Sequence, residues 1–282
     1  NPGQTGVFDG NARAIINYRD QWATVDAPYR TFGFNYDHRI RPKKLNKKAT
    51  LAVGIAAYRD DAGDLGLHTT SGVISLSSTL ILTREHFLTA GIQTGIIYRG
   101  VDMTNAIWGS QYDGDNYDPT IASGEVGQFN NFISPDVSFG FAWNMDKPLG
   151  VGPFRTLKVR AGSGLFHLNR PKQKFNLTED DKLHLRWTIH ADAMMGLGNG
   201  RSYVVPMFLF QLQGPSTEAV FGALYRFSLK EAARVTGFVK GGAISLGATY
   251  RWGDAITPIL AVEYLYFRLG VSYDVTVSKL SK

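Results

Sequence analysis

The sequence contains no cysteine, so no disulfide staples it and neither thiol chemistry nor a thiolate metal site is open to it. It also lacks any run near the ~18 consecutive apolar residues of a membrane-crossing helix. The densest short run is VVPMFLF, Val204 to Phe210, which excludes a helical membrane protein. Pro206 inside that run cannot donate a ladder hydrogen bond and predicts an edge, a bulge or an irregular crossing there. No Pro-, Ser- or Gly-rich linker divides the 282 residues, so 1–282 reads as one domain of a length all-β barrels reach. The chain opens Asn-Pro-Gly without Met, as a processed chain would.

What the sequence does have is alternation. From Phe267 to Ser278, FRLGVSYDVTVS sets Phe267, Leu269, Val271, Tyr273, Val275 and Val277 against Arg268, Gly270, Ser272, Asp274, Thr276 and Ser278. Successive strand side chains point to opposite sides, so this is a strand with one oily and one wet face. TFGFNYDHRI (Thr31 to Ile40), LHLRWTIHADAMM (Leu183 to Met195) and Gly242 to Trp252 repeat the pattern, and Ala12 to Arg19 follows it more loosely. These runs match the ~9–11 residues of a bilayer-crossing strand better than the ~5–6 of a soluble one. Tyr29, Tyr58, Tyr98, Trp143, Trp252, Tyr266 and Trp22 fall near strand ends, where interfacial girdles want aromatics. A large secreted sandwich is the competing reading of the same alternation.

The pattern therefore predicts an all-β fold, a transmembrane antiparallel β-barrel of 14 strands, with 12 as the alternative. Thirteen starts are visible, near Asn11, Arg30, Ala49, Thr69, His86, Ile133, Arg155, Leu183, Arg201, Thr217, Phe238, Ala255 and Phe267; the fourteenth is expected between Arg99 and Phe132. Gly91, Gly95, Gly162 and Gly164, inside strand patterns, read as bends, bulges or close backbone approach. With oily faces toward lipid, Arg13, Arg19, Asp37, Arg39, Arg186, Asp192, Arg251, Arg268 and Asp274 point inward. Such charges either fill and close the lumen or receive a partner segment. The formal charge of +6 is spread over strand ends and polar faces, which fits an acidic lipid surface or protein partner rather than nucleic acid.

Chemical motifs are weak against this background, and no cofactor, metal or catalytic set emerges. Asp113, Asp115 and Asp118 lack the Gly and Glu of an EF-hand loop and read as solvated Asx turns. His184 and His190 share a face but lie about 20 Å apart along a strand, and His190 with Asp192 reads as a hydrogen-bonded lumen pair. Ser163 and His167 are expected on one face about 13 Å apart, too far for a nucleophile and its base. Gly196, Gly198 and Gly200 read as a strand-to-strand turn, and the sequon at Asn176 as incidental.

One set of segments resembles a known family. QYDGDNYDPTIASGE (Gln111 to Glu125) resembles a signature of the PorP/SprF family of type IX secretion outer-membrane proteins. The opening NPGQTGVFDGNARAIINYRDQW, through Asn1, Pro2, Gly6, Tyr18, Arg19, Gln21 and Trp22, is similar to the family's N-terminal signature. FHLNRPKQKF is similar to another, through His167, Asn169 and Pro171, with Arg170 between them; RWGDAI and LGVSYD resemble later segments. The resemblance implies an outer-membrane barrel, not an enzyme, that binds type IX secretion components and a secreted adhesin or its C-terminal region, or couples the membrane to periplasmic machinery. The candidate partner-binding residues are the inward charges together with His167, Asn169 and Arg170. A passive solute or hydrophobic-substrate channel is the alternative.

Overall fold

Residues with period-two alternation pair with their neighbours in order, because most are joined to the next by a connection too short for a parallel crossover. In the computed structural model, which describes residues 1–21, 28–40, 49–63, 66–101, 108–122, 131–149, 154–173, 182–198, 200–229 and 241–278, these runs make one sheet. Its strands are β1 (Ala12–Gln21), β2 (Tyr29–Ile40), β3 (Ala49–Ala62), β4 (Leu67–Ile81), β5 (His86–Gly100), β6 (Phe132–Pro148) and β7 (Phe154–Phe166). They continue as β8 (Arg186–Leu197), β9 (Ser202–Gln213), β10 (Ser216–Ser228), β11 (Ala243–Arg251), β12 (Ala255–Tyr264), β13 (Phe267–Ser272) and β14 (Val275–Thr276). The order in space from β1 to β13 is the order in sequence, and β14 pairs with β12. Among the described residues no helix is long and apolar enough to cross a membrane.

The sheet sorts its faces in the sense opposite to a water-soluble protein. Along β6, Phe132, Ser134, Asp136, Ser138, Gly140 and Ala142 are buried while Ile133, Pro135, Val137, Phe139 and Phe141 are exposed. Buried Ser75, Ser77 and Thr89 on β4 and β5 continue the polar interior. Exposed Ile74, Leu76, Ile92 and Ile96 continue the oily exterior, with Ile92 directly beside Phe139. Small polar groups inside and bare aliphatic groups outside suit a wall bathed in hydrocarbon, not water. Strands β3 to β7 run 13 to 17 residues, longer than the ~9–11 a tilted crossing needs.

The curl of the sheet brings its edges together. No ladder joins β1 to β13 among the described residues, but Arg19 of β1 donates to Asp274, just past β13, at 3.1 Å. Side chains bridge the seam where backbone does not.

Two proline positions explain where ladders lapse. Pro206 sits in the interior strand β9 and its β10 pairing is continuous, yet on the β8 side the ladder skips from Asp192↔Met207 to Met195↔Val204 without a change of register. The irregular crossing expected there is thus a gap, caused by the missing N–H. Likewise β13 and β14 share one register, Ser272↔Ile259 and Val275↔Ile256, with Pro258 opposite the break. The fourteenth strand of the described residues is β14, continuing the alternating run of β13; among them no strand lies between Gly100 and Phe132. The described part of that stretch holds a 3-10 turn at Gly109–Gln111 and an isolated bridge between Tyr112 and Tyr117.

One aromatic also departs from expectation. Tyr58 points into the lumen, where its hydroxyl donates to Asn35 at 2.7 Å, because it shares inward parity with Ala52 and Gly54. Trp22 lies outside the described residues.

Candidate functional site

The interior is crossed by the first ten residues. A 3-10 turn at Pro2–Gln4 is capped by the Asn1 side chain, whose Oδ1 accepts from the Gly3 N–H at 2.9 Å. That bond fixes which side-chain atom is which, so Nδ2 is the donor toward the carbonyl of Ser163 at 3.1 Å and Nε2 of His190 at 3.0 Å. Further along, Ser77 donates to the Thr5 carbonyl at 2.7 Å and Arg39 to the Gly6 carbonyl. Phe8 ends the traverse between the guanidinium groups of Arg13 and Arg39, 4.8 and 5.0 Å from its ring centre. The segment runs from β7 and β8 across to β1 and β2.

Its backbone lies directly on the backbone of the wall. A Cβ on Gly3 would sit 2.6 Å from the Phe141 backbone, and one on Gly91 or Gly140 would overlap Pro2 or Asn1. Only glycine permits that approach. Gly91, read from the sequence as a bend, bulge or close approach, is the last of these.

The inward charges are distributed over separate networks. Arg13 pairs with Asp37. Asp192 accepts from Arg160 at 2.8 Å. Asp274 is a hub that accepts from Arg251 at 2.6 Å, Thr257 at 2.8 Å and Arg19 at 3.1 Å. Arg251 also reaches Asp254 at 2.9 Å and approaches Glu218 at 3.7 Å. Arg268 stands 3.8 Å from Glu263, whose main partner is Arg226 at 2.6 Å. Arg186 stacks on Phe166, 4.5 Å from the ring centre.

The segment after β7 is held by its own geometry. β6 outlasts β7 at this end, and His167–Gln173 turns back along the uncovered edge of β6. Leu168 donates to the Val137 carbonyl at 2.9 Å, while the Asn169 side chain accepts from Val137 N at 3.2 Å and donates to the Pro135 carbonyl at 2.7 Å. His167 (φ 60°) and Arg170 (φ 42°) take left-handed backbone to make the turn. The His167 ring is thereby aimed inward, donating to the buried carboxylate of Asp136 at 2.9 Å, whereas Arg170 stays exposed.

The family described as "Type IX secretion system membrane protein PorP/SprF" matches residues 1–282, the whole chain. The chain belongs to the PorP/SprF family. A comparison with curated proteins gives no match. As a PorP/SprF protein it is a membrane component of the type IX secretion system, a family of secretion machinery rather than of enzymes, and it works with type IX components.

Set against this PorP/SprF barrel, two expectations need correction. His190 and Asp192 do not bond each other, since Asn1 takes the ring and Arg160 takes the carboxylate. Ser163 and His167 do not share a face: Ser163 looks outward and accepts from Trp187 Nε1 at 2.8 Å, while the left-handed backbone at His167 turns that ring inward. Asp113 and Asp118 do form Asx-type turns, accepting from the N–H groups of Asp115 and Asn116 and of Thr120. The Asn116 and Asp115 amides hold the Asp113 carboxyl below its ordinary range, and the Thr120 hydroxyl and amide do the same for Asp118. The sequon at Asn176 lies outside the described residues.

Sequence reasoning missed the lumen-crossing role of Asn1 to Phe8, and it missed Arg160, Glu218, Arg226 and Glu263 as partners of the inward charges. A signal for the first was present. The inward positions of β4 to β7 read Ser75, Ser77, Thr89, Gly91, Ser138, Gly140, Ala142, Gly162 and Gly164, and small residues around a lumen leave a void that something else fills.

Proposed function

We propose that this protein is an outer-membrane holder in type IX secretion: a single-domain barrel that binds a secreted partner, such as a gliding adhesin or its C-terminal region, or couples the membrane to the periplasmic machinery. Family membership supports the setting. The observation that carries the holding role is the N-terminal segment, which crosses the interior and is bonded to wall strands on both sides. A passive channel for solutes or hydrophobic substrates needs a continuous path, and that segment stands in it.

The two longest connections, 101–131 and 167–185, leave the same end of the sheet, because both follow odd-numbered strands. In bacterial outer-membrane barrels the longer loops face outward from the cell, so this end is the docking side in our reading. The outward wall of Ile92, Phe139 and Leu246 contacts lipid. Arg170, exposed on the held segment beside Lys172 and Lys182, is the charge best placed to meet an acidic partner. Gentle detergent purification of the tagged native protein, followed by mass spectrometry, should recover a stoichiometric secreted protein or secretion component. Arg170→Glu should reduce that recovery with the barrel intact. A lone barrel from the native membrane would remove the proposal, and unchanged recovery with Arg170→Glu would remove Arg170 from it.

A further inference from the structure

On the loop side of the N-terminal segment the lumen keeps a cavity of about 370 Å³, within the range of small-molecule pockets. Asn1, Gln4 and Thr5 form its floor. Phe166 at the end of β7 and Arg186 at the start of β8 stand at its rim, so it faces the end from which the two longest connections leave.

The polar groups of the cavity are unevenly satisfied. Its two carboxylates are committed, Asp37 to Arg13 and Asp136 to His167. Its two guanidinium groups differ: Arg13 is held by Asp37 and by the Phe8 ring, and Arg186 has no such pairing. Among the described residues Arg186, which lines the cavity, has no ion-pair partner, only the face of Phe166, and Nε of Arg186, like Nε of Arg13, is buried without an acceptor. A buried guanidinium N–H accepts nothing and is satisfied only by an acceptor, the strongest being a carboxylate that takes two N–H bonds at once. Beside these donors the wall carries an apolar part, Ile15, Val73 and Ile97, among polar Asn35, Ser71, Ser75 and Gln93. A bare inorganic anion leaves the apolar part of the wall uncovered.

We propose that this cavity binds the carboxylate of a small amphiphile, with Arg186 on the carboxylate, the positive charge of Arg13 on the same cavity, and the aliphatic part against Ile15, Val73 and Ile97. The carboxylate belongs either to a free fatty-acid-like molecule or to the end of a peptide chain; the chemistry of recognition is shared. Where the carboxylate is a chain end the inference rests on the partner-holding reading; Arg170, which lies outside the cavity, tests that reading separately.

The test is calorimetric titration of the purified full chain in non-ionic detergent with octanoate, N-acetyl-leucine, N-acetyl-leucinamide and inorganic phosphate. At least one carboxylate should bind to a single site. N-acetyl-leucinamide, which has nearly the shape of N-acetyl-leucine but an uncharged carboxamide in place of the carboxylate, should bind at least about tenfold more weakly than the better carboxylate, the value of a charge-assisted hydrogen bond. Arg186→Gln, which keeps the stem over Phe166, should lose about the same factor with an unchanged circular dichroism spectrum. Octanoate alone identifies a free amphiphile and N-acetyl-leucine alone a chain end, and either supports the site. No binding of either carboxylate, equal binding of the amide, or phosphate binding as well as the carboxylates overturns it. The acid-against-amide comparison uses the unaltered protein, so it decides the matter even if Arg186→Gln fails to fold.

Discussion

The amide of Asn1 donates to the ring of His190 at 3.0 Å, joining residues 189 apart in sequence across the middle of the barrel. This contact anchors one end of the lumen-crossing segment, and Phe8 between Arg13 and Arg39 anchors the other. At Gly91 and Gly140 the wall accommodates the segment only because it carries glycine.

That dependence gives the first prediction. Because the chain has no cysteine, Gln4→Cys introduces a single reactive thiol on the segment. In the otherwise native barrel it should react slowly with a bulky maleimide. Adding Gly140→Val, whose side chain would occupy the place of Asn1, should raise the rate by about tenfold or more by raising the population of the displaced segment. Equal rates would mean that the segment is not held by this wall.

The seam offers a second. Asp274 serves three donors, from β1, β11 and β12, so Asp274→Ala should cost more stability than Arg19→Ala, which removes only one of them. Both groups are partly exposed, so the difference should be about 1 kcal/mol. Thermal unfolding of the three proteins in one detergent, followed by gel mobility, measures it. An equal loss in both variants would mean that Asp274 acts only through Arg19.

Asn169 separates folding from binding. Asn169→Ala removes both side-chain bonds to the uncovered edge of β6 and should loosen His167–Gln173, with a cost of about 1–2 kcal/mol. Hydrogen exchange at Val137 should accelerate. Arg170→Glu, which touches no such bond, should leave that exchange unchanged, and acceleration there would show that Arg170 also serves the fold.

The loop around Asp113 should respond to acid in a definite sense. Its carboxyl is held below the ordinary value by the Asn116 and Asp115 amides, so the turn is favoured while the group is ionised. The contribution is present above the unfolded-state pKa of about 3.9 and is lost as pH falls through the lower folded-state value. Amide exchange at Asp115 and Asn116 should rise in that acidic window. Asp113→Asn keeps an acceptor and should abolish the pH dependence, and an unchanged pH profile in that variant would assign the transition to another group.

Much of the barrel was legible because a period of two reports faces directly. Thirteen strand positions follow from it, and so does the inward parity of Arg13, Asp37, Arg186 and Asp274. Parity says nothing about height or azimuth, however, which is why His190 was matched with its sequence neighbour Asp192 and not with Asn1. Asp274 was placed inward, but the convergence of Arg19, Arg251 and Thr257 on it depends on the curl of the whole sheet. The segment NPGQTGVFDG has no period at all, and its role was written in the small inward residues of β4 to β7 more than in itself. The missing fourteenth strand was hidden by the unbroken alternation of Phe267 to Ser278, which Pro258 on the partner strand interrupts.

The most direct test of the account is the planar-bilayer conductance of the purified protein beside a variant lacking residues 1–10. A barrel that holds a partner with its interior crossed by its own chain should show little steady conductance, and the deletion should open it to discrete, porin-like steps. Steady open-channel conductance in the full chain, unchanged by the deletion, would contradict the account and favour the passive channel.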